Sequence, residues 1–219
     1  TQNFFRLFLT NMASCLIVVD VQNDGYNGNG ASPQESGAFV IPVINALIKS
    51  GKFDHVVYTQ DWHPEDHCSF QINNPGSQLF ETITLPSGRK QKMWRPHCIQ
   101  NTEGAALHSD LVILEDSVFI KKGTDKTVDS YSAFGVFPEK TELLTSLQTR
   151  NVEKVFCVGQ AYDYCLGSTA LDSAKAGFDT TIIVDATKFI AEETRQEMEQ
   201  TLKDIGVKEI LSTDILEEQ

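Results

Sequence analysis

The sequence has few basic residues for its number of acidic ones. Its 18 Lys and Arg residues face 30 Asp and Glu residues, which gives a formal net charge of -12 at pH 7. Proteins that bind nucleic acid or anionic membranes need a basic field that attracts phosphate groups. The charge balance therefore argues against both classes and favours a small, uncharged ligand.

The sequence also lacks a regular cysteine framework and a long hydrophobic run. The five cysteines form no CxxC pair, and their odd number fits a reducing compartment, the cytoplasm, better than a secreted disulfide scaffold. No apolar run approaches the roughly 20 residues that span a bilayer. Residues 1–11 precede Met12 and carry one basic residue, so we interpret them as a leader or a cloning remnant rather than a signal peptide.

The chain does contain enough apolar sequence for one sizeable core. Hydrophobic residues make up 41% of its 219 residues and charged residues 22%. No low-complexity linker or internal repeat divides it. We expect residues 12–219 to form a single domain.

Short apolar runs alternate with helical periodicity along the chain. The runs predict strands at 15–20, 55–61, 117–123, 153–159, 178–185 and 207–212. The periodicity predicts helices at 39–50, 138–148, 165–176 and 191–205. Such alternation is typical of right-handed crossovers and a parallel sheet covered on both faces. The predicted fold class is therefore α/β, with three α/β/α layers and a central, mostly parallel sheet of about six strands.

Four reactive side chains fall at the carboxyl ends of predicted strands. Asp20, Asp61 and Lys122 lie at the ends of the first three, and Cys165 stands where the fourth gives way to a helix. In parallel sheets these ends gather in one crevice, so we expect the four side chains to meet. Each alone also has an ordinary structural explanation, as a turn acid, a solvated lysine or a small buried thiol.

The position of Cys165 suits nucleophilic catalysis. The unpaired N–H groups and the dipole of a helix N-terminus favour an anion, and a nearby Lys122 adds to that preference. Asp20 would disfavour the thiolate, but it can accept the thiol proton and later return it to a leaving group. The sequence leaves the resting protonation state open.

An acid and an imidazole follow the second strand at a metal-ligand spacing. Asp61 and His63 are two residues apart, so both can face one ion, although a loop histidine held by a hydrogen bond is the common alternative. The segment 65–111 that follows is long, irregular and rich in Asn, Pro, Gly and Ser. Segments of this kind are more often functional coverings than plain connections, and this one carries Trp94 and His97.

Six stretches of the chain, spread in order over residues 14 to about 212, carry a family resemblance. They are 20–24, 60–64, 94–98, 122–123, 129–134 and 159–165. They resemble the successive motifs of nicotinamidases in the isochorismatase-like cysteine hydrolase family. The resemblance implies a hydrolase that converts nicotinamide and water to nicotinate and ammonia, in NAD salvage, and that also deamidates pyrazinamide.

The resemblance also implies roles for particular residues. Asp20, Lys122 and Cys165 match the catalytic triad of the family. The backbone N–H groups of Ala161 and Cys165 match its oxyanion hole, next to an expected cis peptide between Gln160 and Ala161.

A metal site is implied by the same resemblance. Asp61, His63 and His97 match the ligands of one divalent metal ion, and Ser69 stands where some relatives approach the metal through water. Two imidazoles and one carboxylate with open positions suit zinc best, and iron or manganese also fits.

The pocket motifs depart from the family pattern. Trp94 matches a ring that packs on the substrate. Gly25 stands where the family has Phe, a lost wall for which Tyr26 or Tyr131 is the expected replacement, and Gln160 replaces the usual Val.

The expected partner is nicotinamide, without nucleic acid or membrane, and a homo-oligomer stays open. One alternative is another amide hydrolase of the family, which would lack the predicted metal-ligand set. A second is a catalytically silent binding relative. The intact triad argues against that second alternative, because buried charges without a role are costly.

Overall fold

The computed structural model describes residues 12–26 and 37–217, and its centre is a parallel sheet. The strands are β1 (Ala13–Val19), β2 (His55–Asp61), β3 (Thr82–Thr84), β4 (Lys90–Lys92), β5 (Val118–Lys122), β6 (Val152–Gln160), β7 (Asp179–Lys188) and β8 (Lys208–Ile210). Six of them form one sheet in the order β5-β2-β1-β6-β7-β8, with every neighbouring pair parallel. The predicted sheet is confirmed.

Helices cover both faces of this sheet. They are α1 (Asn23–Tyr26), α2 (Ile41–Lys49), α3 (Leu143–Thr149), α4 (Cys165–Lys175), α5 (Glu192–Asp204) and α6 (Ser212–Leu216). Ile17 of β1 packs with Leu166 of α4 and Leu202 of α5, whereas Leu16 packs with Ile44 of α2. Because successive side chains of a strand point to opposite faces, β1 is buried on both sides and the sheet separates two helical layers.

The helix predicted from Pro138 begins only at Leu143, so that boundary was wrong. The peptide before Pro138 is cis, and the Glu139 carboxylate accepts hydrogen bonds from the backbone N–H groups of Gly123 (3.0 Å) and Thr124 (2.6 Å). These bonds tie the segment to the end of β5. Its backbone therefore does not enter the helix at the proline.

The segment 65–111 contains more regular structure than predicted. Strands β3 and β4 pair as a small antiparallel hairpin outside the main sheet. These two strands give little hydrophobic pattern to read, because most of their six residues are polar. Gln91 is buried, Ile83 and Lys92 are partly buried, and the other three residues are exposed. The segment as a whole still connects β2 to β5 and lies beside the carboxyl ends of the central strands.

The last strand is shorter than predicted and is followed by a helix that the periodicity did not indicate. The strand ends at Ile210, and α6 begins at Ser212. The Asp185 carboxylate accepts hydrogen bonds from the Ser212 N–H at 2.8 Å and its hydroxyl at 2.6 Å. This long-range contact fixes the start of α6.

Residues 1–11, which the sequence analysis assigned to a leader, lie outside the described residues. Residues 27–36, between α1 and α2, do so as well. Within the described ranges, none of the helices combines the length and apolar character needed for a transmembrane segment.

Candidate active site

Four side chains predicted to meet do meet, and the parallel sheet brings them together. Asp20 directly follows β1, Asp61 ends β2, and Lys122 ends β5. Asp61 and Lys122 are register partners on neighbouring strands. Cys165 is the first residue of α4, which follows the adjacent strand β6. All four therefore converge on one edge of the sheet.

Lys122 lies at the centre of this group and is fully buried. Its Nζ is 2.9 Å from Asp20 Oδ2, 2.5 Å from Asp61 Oδ1 and 3.2 Å from Cys165 Sγ. Burial opposes the charge on Lys122, but the carboxylates of Asp20 and Asp61 outweigh it and hold the lysine pKa well above its ordinary value. The side chain is thus a buried ammonium group that faces two acids and a thiol.

The two acids around Lys122 differ in their proton affinity. Burial raises the pKa of Asp20, and Lys122 offsets this only in part because the nearby Asp61 carboxylate adds to the rise. For Asp61, burial is outweighed by Lys122 and His63, which lower its pKa. Two carboxylates that share one cation behave in this way, because both cannot ionise equally easily. Asp20 is therefore the acid suited to carry a proton.

The two carboxylate oxygens of Asp20 have different partners. Oδ1 accepts a 2.6 Å hydrogen bond from the Thr59 hydroxyl. Oδ2 makes the ion-pair contact with Lys122 but lies outside hydrogen-bond geometry with the described residues. Ligand atoms of Asp20, Asp61 and Cys165 lie within 4.8 Å of one another. A carboxylate oxygen of Asp20 therefore lies within 4.8 Å of the Cys165 sulfur.

Cys165 is a thiol rather than a thiolate in this arrangement. Burial and the Asp61 carboxylate raise its pKa well above the ordinary value, and Lys122 only partly compensates. From the sequence we expected the helix N-terminus to favour the thiolate of Cys165. Desolvation and the two nearby acids outweigh that effect on the pKa. A reaction that uses this sulfur as a nucleophile needs a base, and Asp20 is positioned to be one.

Two backbone N–H groups beside Cys165 lack partners within the described residues. They belong to Ala161 and to Cys165 itself, and both residues line the pocket. The peptide between Gln160 and Ala161 is cis, as the family resemblance implied. Free N–H donors next to a nucleophile are suited to bind an oxyanion.

Asp61, His63 and His97 present three potential metal ligands. Asp61 Oδ2 lies 3.7 Å from His63 Nε2 and 3.9 Å from His97 Nε2, and all three atoms fall within 4.8 Å of one another. His63 Nδ1 contacts the Gly123 carbonyl at 2.9 Å, and His97 Nδ1 contacts the Arg95 carbonyl at 2.8 Å. These contacts place the proton on Nδ1 and leave the Nε2 lone pairs facing Asp61. The donor set therefore fits a divalent cation.

Ser69 does not belong to this three-ligand group. Its hydroxyl bonds His67 Nδ1 at 2.7 Å, and the His67 ring stacks on His63 with a centroid distance of 4.2 Å. His67 Nε2 contacts the Val128 carbonyl at 3.2 Å. Sequence reasoning missed His67, whose signal was its place six residues after Asp61, just beyond the stretch 60–64. Its role here is to pack against a predicted ligand.

Gln22 is a second residue that the sequence analysis missed. Its fully buried amide donates from Nε2 to the Asp61 carbonyl at 2.8 Å and accepts at Oε1 from the Asp61 N–H at 2.8 Å. The same Nε2 also reaches the Ala105 carbonyl at 2.9 Å. The side chain therefore fixes the backbone of Asp61 from both sides and joins it to the covering segment.

Aromatic rings form one wall of the pocket. Trp94 Nε1 donates to the Tyr131 hydroxyl at 2.9 Å, and the Trp94 ring meets Tyr164 edge-on at 4.9 Å. Tyr131 therefore lies beside Trp94, and Tyr164 adds a third ring. The side chain next to Gly25 is Gln160 rather than Tyr131, which the sequence analysis offered as a replacement for the lost wall. The side chain of Tyr26 lies outside the described residues.

Around Gly25, where the family pattern has a phenyl ring, the lining of the pocket is polar. Gly25 and Gln160 both line the pocket, together with Lys188. Gln160 Nε2 donates to the Asp20 carbonyl at 3.1 Å. A carboxamide, rather than an aromatic ring, therefore borders Gly25.

The family model of the isochorismatase domain matches residues 14–214. The chain belongs to the isochorismatase family. Among its relatives in this family, a nicotinamidase from Acinetobacter baylyi is 41% identical over 92% of this chain and 94% of its own length.

Solved structures of the isochorismatase family superpose closely on this chain. A nicotinamidase pyrazinamidase from Acinetobacter baumanii has a TM-score of 0.86 and 43% identity, and covers 94% of this chain and 100% of its own. A pyrazinamidase from Pyrococcus horikoshii in complex with zinc has a TM-score of 0.74 and 34% identity, with coverages of 91% and 99%. These similarities extend over nearly all of the chain and so include the whole pocket.

Proposed function

We propose that this chain is a nicotinamidase, a hydrolase that cleaves the amide C–N bond of nicotinamide to give nicotinate and ammonia, and that it also deamidates pyrazinamide. One observation carries the proposal above the others. Lys122 Nζ lies 2.9 Å from Asp20 and 3.2 Å from Cys165 Sγ, and Asp20 and Cys165 line one pocket together with three convergent metal ligands.

Cys165 is the proposed nucleophile and Asp20 the proposed proton carrier. The Cys165 sulfur forms a bond to the carboxamide carbon while its proton passes to Asp20. The carbonyl oxygen becomes an oxyanion that the N–H groups of Ala161 and Cys165 face. The C–N bond then breaks, Asp20 returns the proton to the departing ammonia, and a thioester remains.

Water completes the proposed cycle. Asp20 takes a proton from the attacking water as the new C–O bond forms, and the thioester C–S bond breaks to release nicotinate. The proton then returns to the Cys165 sulfur. Lys122 keeps its charge throughout, because the carboxylate of Asp61 and the changing charges on Asp20 and Cys165 surround it. Its proposed role is to hold these groups together and offset the anion.

Asp61, His63 and His97 are the proposed ligands of one divalent metal ion. Their chemistry favours zinc, with iron or manganese as other candidates. Ser69, the proposed water-mediated contact, would act on this site through its bond to His67, which packs on His63. When bound, the cation supplies a Lewis-acid contact that orients the pyridine nitrogen of the substrate. Trp94, Tyr131 and Tyr26 are the proposed walls around the ring.

We further propose that residues 12–219 act as one hydrolase domain in the reducing cytoplasm. All five cysteines are free thiols, two of them deep in the core as Cys15 and Cys157. Such thiols are kept in reducing compartments.

An ammonia-release assay tests the proposed function. The metal-loaded protein is given nicotinamide, pyrazinamide, acetamide and butyramide at equal concentration. We expect turnover of the two ring amides and little of the aliphatic ones, because only a ring nitrogen can use the metal-ligand side of the pocket. Preference for aliphatic amides would favour another hydrolase of the family, and no turnover of any amide would contradict the proposal.

A further inference from the structure

Gly25 of α1 and Gln160 at the end of β6 meet across one wall of the pocket. Both residues line it. A Cβ atom added to Gly25 would overlap the Gln160 carboxamide, with Nε2 as the nearest atom. The carboxamide therefore occupies the space that the first atoms of any other side chain at position 25 would need.

The Gln160 carboxamide uses only part of its hydrogen-bonding capacity. Nε2 donates to the Asp20 carbonyl at 3.1 Å, which holds the side chain against the backbone of the proposed proton carrier. Among the described residues, no donor bonds Oε1. An amide has two N–H donors and a carbonyl acceptor, so one donor and the acceptor stay available to a molecule in the pocket.

Lys188 adds to the polarity of this wall. Its Nζ donates to the Gly25 carbonyl at 3.4 Å, and the residue lines the same pocket. The lining of the pocket also includes the rings of Trp94, Tyr131 and Tyr164, which contact one another. The pocket thus combines aromatic rings with hydrogen-bonding groups.

We propose that Gly25 and Gln160 form a coupled pair that determines which ring substituents the pocket accepts. The inference rests on the proposed function, because it places an aromatic amide in this pocket. Gly25 makes room for the carboxamide, and the carboxamide makes the wall polar. Aromatic amides with a small hydrogen-bonding substituent are therefore favoured over amides with an apolar substituent of equal size.

A double-mutant cycle tests the coupling. It compares wild type, Gly25→Ala, Gln160→Ala and the double variant by kcat/KM for nicotinamide and by thermal unfolding midpoint. Gly25→Ala should lower kcat/KM about tenfold in the wild-type background, because the new methyl group displaces the carboxamide. In the Gln160→Ala background it should change kcat/KM less than about twofold. If Gly25→Ala lowers kcat/KM equally in both backgrounds, the proposed coupling of Gly25 and Gln160 is wrong.

Substrate choice tests the polarity of the wall. Methyl and amino groups are close in size, so 5-aminonicotinamide is compared with 5-methylnicotinamide, and 6-aminonicotinamide with 6-methylnicotinamide. Replacing Gln160 with Met keeps the length of the side chain and removes its amide. The amino-to-methyl ratio of kcat/KM should fall about fivefold in Gln160→Met for at least one ring position, as the loss of one neutral hydrogen bond predicts.

The control for that comparison is Gln196→Met, because Gln196 lies on the exposed face of α5 and bonds Glu192 at 2.9 Å. Its ratios should equal those of wild type. Unchanged ratios in Gln160→Met at both ring positions would contradict the proposed selectivity.

Different results would contradict the coupling of Gly25 and Gln160 and the proposed function. If the wild type turns over nicotinamide and the effects of the two substitutions are additive, the coupling of Gly25 and Gln160 is contradicted and the proposed function is not. Absence of wild-type turnover would contradict the proposed function and the substrate part of this inference. The unfolding midpoints would still test the packing part, since Gly25→Ala should lower the midpoint more when Gln160 is present.

Discussion

The two sides of the pocket are built in different ways. The sheet side consists of Asp20, Asp61, Lys122 and Cys165, which lie at the ends of central strands or at the start of the helix after one. The loop side consists of His63, Trp94, His97 and Tyr131, which lie in irregular segments. Strand pairing places the backbone of the sheet side, with added side-chain bonds such as those from Gln22 to Asp61. Isolated backbone bridges and single side-chain contacts position the loop side. The sheet side should therefore be the more rigid and the loop side the more easily altered.

Loss of the thiol should have the largest effect and should leave the loop side intact. We expect Cys165→Ala to lower ammonia release from nicotinamide by about four orders of magnitude or more, as removal of a covalent nucleophile does in other hydrolases. Bound metal, measured by elemental analysis, should stay near the wild-type level. Retained turnover would contradict the covalent mechanism.

Removal of the central charge should damage the sheet side in both activity and stability. Lys122→Met leaves the carboxylates of Asp20 and Asp61 without their cation. We expect it to lower the free energy of unfolding by about 3 to 5 kcal/mol and turnover by about a thousandfold. Urea denaturation measures the first effect and ammonia release the second.

The control for this variant is Lys126→Met, because Lys126 also pairs with an acid, Asp66, at 2.8 Å but on the surface. Its unfolding curve should superpose on that of wild type. Equal destabilisation by the two variants would mean that the buried cluster is not the source of the effect.

On the loop side, loss of a proposed ligand should act through the metal. His97→Ala should weaken metal binding by about a hundredfold or more and raise KM for nicotinamide, because one of three donors is gone. The reaction of Cys165 with iodoacetamide should keep its rate. Metal content equal to wild type, with His55→Ala as the matched control, would show that His97 is the wrong ligand.

The smallest expected effect comes from a residue that positions the loop side without facing the reaction. The Asp24 carboxylate accepts a 2.8 Å hydrogen bond from the Cys98 N–H, next to His97. Asp24→Ala should weaken metal binding about tenfold, because the backbone that carries His97 loses its anchor. Asp24→Asn keeps an acceptor oxygen and should restore most of the affinity. Equal affinity losses in the two variants would contradict a role through this hydrogen bond.

The sequence predicted the sheet side well, and the reason is local. Apolar runs mark buried strands, and the residue after each run is readable directly, so Asp20, Asp61 and Lys122 could be placed at one edge. The helix that starts at Cys165 was also readable, from four-residue spacing and a terminal glycine. The parallel pairing then required no further information.

On the loop side, the sequence pattern indicated the Asp61–His63 spacing and a covering segment with Trp94 and His97, but the full ligand set came only from the family resemblance, since its contacts are long-range. The local sequence pattern does not indicate that Gln22 bonds the backbone of Asp61, or that His67 packs on His63. The helix start at Pro138 failed for a similar reason, because Glu139 bonds the end of β5 across 16 and 15 residues. The closeness of Gln160 to Gly25 depends on two elements more than a hundred residues apart.

Gly123 connects the two sides of the pocket. Its N–H is held by Glu139 at 3.0 Å, its carbonyl bonds His63 at 2.9 Å, and it directly follows Lys122. With φ at +64° and a Cβ position that would overlap the His63 ring, the site accepts only glycine. A designer who wished to transplant this chemistry to another scaffold would have to carry the ammonium and the imidazole over as a single unit, mounted on one shared peptide.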